Sequence, residues 1–270
     1  MRVAVYYSNS DVRLEERPRP TPGSGELLLR VEASGVCGSD VMEWYRLPKA
    51  PIVLGHEVAG VVEEVGEGVE RFKAGDRIVT THHVPCMSCR YCATDRHAVC
   101  ETLRATSFDP GGFSEYVRLP AVNVERGTFL VPDQVSFEEA SFVEPLACVV
   151  RALRLSRLRA GDSVAVLGAG VSGILMIQMA RALGAGRIVA TDVVTARLEM
   201  ALRFGAAVAL RAGEPGLTGR LLESNDGRGF EQVLVCTGAR PVATQALEVA
   251  DLGGTCLLYT SDAADECCGV

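Results

Sequence analysis

The sequence predicts an α/β protein of two domains, a β-rich barrel-like domain followed by a doubly wound parallel sheet. Three observations carry that expectation. The first half reads as short strands cut by glycine and proline, and the second half alternates strands with amphipathic helices. A glycine-rich loop stands at the first strand-to-helix junction of that second half. At 270 residues the chain has the size at which one core usually splits into two. With 48% hydrophobic and 23% charged residues it has ample apolar surface to bury.

The opening residues MRVAVYY read as a strand, with no charged leader, apolar stretch and cleavage site before them. The longest apolar stretch, residues 164–177, is interrupted by glycine and serine and is too short to span a bilayer. A net charge of −7 without a lysine or arginine cluster argues against a nucleic-acid surface. These features predict a soluble cytoplasmic protein with neither nucleic acid nor membrane as a partner.

Strands are expected at ELLLRVEASGV, EVAGVVEEVGEGV and DRIVTTHHV, separated by PRPTPGSG and FKAGD. After Pro132 the texture turns helical: SFEEASFVEPLACVVRALRLSRL has apolar positions at helical intervals, and Ser136 with Glu139 fits a capping box. From Ser163 onward SVAVLG, RIVATD and EQVLVCTG alternate with helices, the pattern of a parallel sheet with crossover helices. The expected division is 1–155 for the first domain and 156–255 for the second, with 256–270 set apart as a tail.

Cys86, Cys89, Cys92 and Cys100 form C-x2-C-x2-C-x7-C, in flanks too polar for a buried strand or helix. Thiolates this close repel one another unless a cation sits between them. Tetrahedral zinc does so with four bonds of about 2.3 Å, and its closed shell leaves no position for substrate. Iron–sulfur clusters also use closely spaced cysteines, so spacing leaves the metal open. A closed four-thiolate site holds a loop together and performs no chemistry.

The stretch SVAVLGAGVSGILMIQMARALGA holds Gly168, Gly170 and Gly173 as G-x-G-x-x-G between a strand and a helix. The first glycine permits the tight turn, the second lets backbone approach a pyrophosphate, and the third lets helix and strand pack closely. The helix N-terminus offers N–H groups to the phosphates. Asp192 ends the next strand, where a carboxylate accepts hydrogen bonds from a ribose 2′-OH and repels a 2′-phosphate. NAD is therefore favoured, while Arg197 keeps NADP open.

Cys37 in GVCGSD and His56 in VLGHE are a second metal-competent pair. Taken singly they read as a small core thiol and a structural histidine. Beside a nucleotide loop they gain meaning, because hydride transfer from an alcohol needs a Lewis acid on the hydroxyl. A catalytic zinc takes three protein ligands and leaves its fourth position to substrate.

These motifs carry a family resemblance. GHEVAGVVEEVGEGV resembles the zinc signature of the medium-chain zinc-dependent alcohol dehydrogenases, and CGSD, GDRI, the four-cysteine loop and GAGVSG follow in that family's order. The resemblance implies a GroES-like catalytic domain followed by a Rossmann domain. It also implies one catalytic zinc, one structural zinc and NAD(P) as cofactors. By motif, Cys37 and His56 are implied as catalytic-zinc ligands, with Glu57 a neighbour able to enter the coordination sphere. EPLAC resembles the segment supplying the last ligand. Glu144 matches the polyol branch that includes sorbitol dehydrogenases, and Cys148 matches the alcohol branch. Positions four apart share a helix face, so both stay open, with Glu144 favoured.

Ser39 resembles the hydroxyl that takes the substrate proton. Met42 stands where threonine dehydrogenases place a histidine, which disfavours threonine. Asp40 reads either as an acceptor orienting the zinc ligands or as a turn cap. Trp44 and Tyr45 read as pocket lining or as aromatics at a domain edge, and His82 and His83 as structural or surface residues. The implied activity is hydride transfer between a secondary alcohol or polyol and NAD. The alternatives are a simple-alcohol, sugar or threonine dehydrogenase, and a non-catalytic zinc- and nucleotide-binding fragment. The expected partners are the small-molecule substrate and, at full length, further copies of the chain.

An open nucleotide-binding sheet has about six strands, and three or four are countable before the chain stops. From Cys256 the string CLLYTSDAADECCGV resembles translated read-through of a sequencing-library adapter. The expectation is a C-terminally truncated chain with an artefactual tail, whose own turnover is in doubt.

Overall fold

The computed structural model describes residues 1–259, and they form two compact units, Met1–Pro145 and a second that begins at Leu146. Residues 260–270, most of the suspected tail, lie outside the described residues.

The first unit contains eight strands: β1 (Arg2–Ser8), β2 (Asp11–Glu16), β3 (Leu27–Gly35), β4 (Ile52–Val53), β5 (Glu57–Val65), β6 (Arg77–Thr81), β7 (Tyr116–Leu119) and β8 (Thr128–Leu130). One antiparallel sheet runs β2-β1-β4 and a second, of five strands, runs β7-β3-β5-β6-β8. Leu27 and Leu29 of β3, Val58 and Val62 of β5, Ile78 of β6 and Val117 of β7 meet in one core. Burying each such side chain contributes about 1.5–3 kcal/mol, which is why the period-two runs pin the register.

Short helices α1 (Glu43–Arg46), α2 (Glu101–Ala105), α3 (Ala121–Arg126) and α4 (Phe137–Ser141) connect these strands. At α4 the Glu139 N–H donates to Ser136 Oγ (3.1 Å) and the Ser136 N–H donates to Glu139 Oε2 (2.9 Å), the reciprocal cap that the sequence predicts. The single helix expected beyond it is broken: α4 ends at Ser141, and α5 (Val143–Ser156) starts afresh. Pro145 is the cause. Its ring is tolerated in a first turn, but inside a continuous helix it would clash with the carbonyl of Ser141.

In the second unit β9 (Val164–Leu167), α6 (Val171–Ala182), β10 (Ile188–Asp192), α7 (Thr195–Phe204), β11 (Val208–Arg211), α8 (Leu217–Glu223), β12 (Phe230–Val235), α9 (Pro241–Val249) and β13 (Ala250–Leu258) alternate without exception. The sheet is parallel in the order β11-β10-β9-β12-β13, the third, second, first, fourth and fifth strands of the unit. That is the order of a doubly wound sheet, with a switch point beside β9. Five strands are present where three or four were countable. β11 is a four-residue edge strand, and Gly253 and Gly254 interrupt the alternation of β13, where the register with β12 also slips. Cys256 and Leu257 pair with Val233 and Leu234 of β12, so the first residues of the suspected tail complete this strand. Among the described residues no helix is long and apolar enough to cross a membrane.

Between β9 and α6 the chain turns at Gly168, whose φ of +102° is a conformation L side chains rarely adopt. A Cβ on Gly173 would lie 1.9 Å from the Gly168 carbonyl oxygen, so helix and strand approach only because residue 173 has none. Gly173→Ala is accordingly expected to destabilise the second unit by about 1–3 kcal/mol. Thermal unfolding followed by circular dichroism checks this, and an unchanged midpoint would contradict the close packing.

Candidate active site and metal centres

Two groups of metal-competent side chains stand out among the described residues. Cys86, Cys89, Cys92 and Cys100 form one, and Cys37, His56 and Glu57 form the other. Within each group the ligand atoms lie within 4.8 Å of one another.

In the four-cysteine loop, Sγ of Cys86 lies 3.9 Å from that of Cys92 and 3.7 Å from that of Cys100, and Cys89 lies 3.6 Å from Cys92. A tetrahedron with metal–sulfur bonds of about 2.3 Å has edges of about 3.8 Å. The donor set thus fits a single tetrahedral ion and is too tight for a cluster of several irons. The backbone prepares the sulfurs for a cation. N–H groups of Ser88 (3.5 Å) and Cys89 (3.2 Å) donate to Cys86 Sγ and pull that thiol down to about 5. Burial pushes Cys92 up to about 12, a cost to its thiolate that a central positive charge would offset.

The second group is assembled by the β3–β5 pairing and the turn after β3. Glu57 opens β5 opposite Gly35, and a Cβ on Gly35 would sit 1.9 Å from Glu57 Oε2. Glycine at 35 therefore makes the room that the carboxylate fills. Cys37 precedes a tight turn at Gly38–Val41, and its N–H donates to Asp40 Oδ2 (3.0 Å). The other carboxylate oxygen of Asp40 lies 3.6 Å from His56 Nδ1 and 3.8 Å from Arg46 Nη2. Asp40 is thus the turn cap, and its second carboxylate oxygen stands beside the histidine at a distance longer than a hydrogen bond. A proton held on Nδ1 leaves the lone pair of Nε2 for a metal, the usual arrangement behind a ligating imidazole.

Ser39 is fully buried, and Arg46 holds it. The Arg46 Nη2 donates to Ser39 Oγ (2.8 Å) and Nε donates to its carbonyl oxygen (2.9 Å). Nothing in the sequence marked Arg46, because a lone arginine in EWYR reads as a solvated charge until its burial is seen. Glu144 is buried in the first turn of α5 and Cys148 is half-buried one turn later.

A cavity of about 410 Å³ in the first unit is lined by His56 and Asp40 from this group, together with Tyr45, His82, His83 and Arg104 among others. Tyr45 thus faces the cavity, whereas Trp44 is 77% exposed. His82 stacks between His56 (centroids 4.7 Å apart) and His83 (3.8 Å), so both histidines belong to the cavity wall.

In the second unit, a Cβ built on Gly170 meets no protein atom within 4 Å, leaving the space a pyrophosphate needs beside the start of α6. Asp192 is buried at the end of β10, where Oδ2 accepts from the Ala169 N–H and Oδ1 from the Val194 N–H, both at 2.9 Å. The Arg197 guanidinium lies 3.7 Å from Oδ2 and is largely exposed. Each carboxylate oxygen retains a lone pair for a ribose hydroxyl.

Residues 23–132 match the family described as the alcohol dehydrogenase GroES-like domain, and residues 172–267 match the zinc-binding dehydrogenase family. The chain is 32% identical over 254 residues to a sorbitol dehydrogenase of Bacillus subtilis, covering 91% of this chain and 70% of that protein. Among solved structures, an alcohol dehydrogenase from Thermus sp. ATN1 is 33% identical with a TM-score of 0.83, over 97% of this chain and 78% of that one. The 2R,3R-butanediol dehydrogenase of Bacillus subtilis is 30% identical with a TM-score of 0.81, over 96% and 77%.

Proposed function

This chain belongs to the zinc-binding dehydrogenases with a GroES-like alcohol dehydrogenase domain, and from that premise we propose that it transfers a hydride between a secondary alcohol or polyol and NAD. The observation that carries the reading is the Cys37, His56 and Glu57 group beside a 410 Å³ cavity, in a chain whose second unit holds the glycine loop and Asp192. The relatives named sorbitol dehydrogenase and butanediol dehydrogenase support vicinal diols and polyols as substrates.

Cys37 and His56 would hold the catalytic zinc, with Glu144 as the third ligand in preference to Cys148, and Glu57 standing by. Cys86, Cys89, Cys92 and Cys100 would hold the structural ion. When bound, the catalytic zinc acidifies the substrate hydroxyl and NAD takes up the hydride. Asp40 keeps His56 oriented through its Nδ1 side. Ser39 Oγ would take the hydroxyl proton while passing its own proton on toward solvent, and the Arg46 N–H that donates to the same oxygen would fix its position. The backbone around Gly168, Gly170 and Gly173 receives the pyrophosphate, and Asp192 accepts from the ribose. A carboxylate at that position favours NAD over NADP, with the Arg197 guanidinium 3.7 Å away as a cationic counterweight. The same proposal places the protein in the cytoplasm and, at full length, in a homo-oligomer.

Zinc analysis together with NADH formation from sorbitol, xylitol, 2,3-butanediol, ethanol and threonine tests the reading. Two zinc ions per chain and turnover of a polyol or diol with NAD are expected. One zinc and no NADH would leave a structural zinc protein. Two zinc ions without turnover would overturn hydride transfer by this chain while preserving the metal assignments.

A further inference from the structure

The cavity beside Cys37 and His56 is cationic in a chain whose net charge is −7. Arg46, Lys49 and Arg104 line it, with Asp40 the one carboxylate among the residues of its wall. Arg46 is matched by Asp40 and by the Ser39 oxygens. Lys49 and Arg104 are not so matched: among the described residues neither has a carboxylate at ion-pair distance. The Lys49 ammonium instead rests 3.6 Å above the centre of the Tyr45 ring, a cation–π contact that keeps it at the wall without neutralising it. Arg104 projects from α2, on the side of the cavity formed by residues 104–107. A neutral polyol offers two such cations hydroxyl oxygens as acceptors but no opposite charge.

We propose that this cavity receives an alcohol substrate that carries an oxyanion, a phosphate monoester or a carboxylate, bound between Lys49 and Arg104 while its reacting hydroxyl lies toward His56. The proposal rests on the dehydrogenase reading above and narrows it to anionic alcohols. A guanidinium and an ammonium facing one space suit a tetrahedral or planar oxyanion by charge and by hydrogen-bond donors.

The test compares kcat/KM for sorbitol, sorbitol 6-phosphate and gluconate with NAD, in the parent chain and in Lys49→Ala and Arg104→Ala. Both side chains are exposed, so neither substitution opens the core. The phosphorylated or carboxylated substrate is expected to exceed sorbitol by about tenfold or more, and each substitution to cut that ratio about tenfold. Calorimetric titration of the zinc-loaded protein with inorganic phosphate gives a readout without turnover, and its binding is expected to weaken in both variants. The profile of the ratio separates phosphate from carboxylate. A parent ratio of one or less, or phosphate binding equal in parent and variants, overturns the proposal while sorbitol turnover keeps the dehydrogenase reading. No NADH from any of the three substrates counts against that reading instead. Weaker NADH binding in the variants with an unchanged ratio would assign the cations to the cofactor's diphosphate and overturn the substrate assignment.

Discussion

Cys37→Ser is expected to abolish turnover while leaving NAD binding intact. Serine keeps the size of the side chain and the turn at Gly38–Val41, whose cap is the Cys37 backbone N–H on Asp40. What changes is the donor atom: a thiolate binds zinc strongly, whereas a serine hydroxyl stays protonated at neutral pH. Lewis-acid stabilisation of the developing alkoxide amounts to several kcal/mol, so kcat/KM should fall by about 10²- to 10⁴-fold. The glycine loop and Asp192 belong to the second unit, and residue 37 to the first. Steady-state NADH formation and calorimetric titration with NAD separate the two effects. Equal activity in the variant would remove Cys37 from the catalytic centre.

Cys86→Ala should act on stability and far less on the chemistry of the bound substrate. Around Cys86 the chain has two one-turn helices, at Cys92–Thr94 and His97–Val99, and no strand to fix it. Cys86 Sγ accepts from two backbone N–H groups and lies near two other sulfurs, so its loss opens the tetrahedron and frees the loop at once. Zinc binding at four-cysteine sites is folding free energy, about 10–16 kcal/mol in isolated zinc-finger peptides. Even a fraction of that is large against a domain stability of about 5–15 kcal/mol. One zinc per chain should be lost, and the unfolding midpoint should drop by many degrees. Unchanged zinc content with unchanged melting would contradict a structural metal site.

Much of the fold was legible because its signals are local. The short strand-like runs at 26–36 and 57–69, set off by glycine- and proline-rich breaks, contain β3 and β5, and the strand–glycine–helix junction at 163–182 becomes β9, its turn and α6. The two groups of metal-competent side chains were legible because such side chains are a short menu of residue types. What escaped depends on contacts remote in sequence. The space above Gly35 matters only once β5 lies beside it with Glu57 opposite. Arg46 acquires its role only by burial against Ser39. His82 and His83 join the cavity because β6 delivers them to the same wall as His56. The break between α4 and α5 was written in Pro145, and helical periodicity across it outweighed that local signal. The fifth strand of the second sheet was hidden by two glycines that interrupt its pattern.

Asp192 does two jobs whose requirements conflict. Its carboxylate bridges the Ala169 N–H in the glycine loop and the Val194 N–H at the start of the next helix, so it is a fastener between two segments that meet the cofactor. On the proposed reading the same negative charge would sort nucleotides at the ribose. On that reading cofactor preference would be tied to loop order through the same carboxylate. Redesign toward a 2′-phosphate cannot simply delete the charge, and has to restore both acceptors from another side chain.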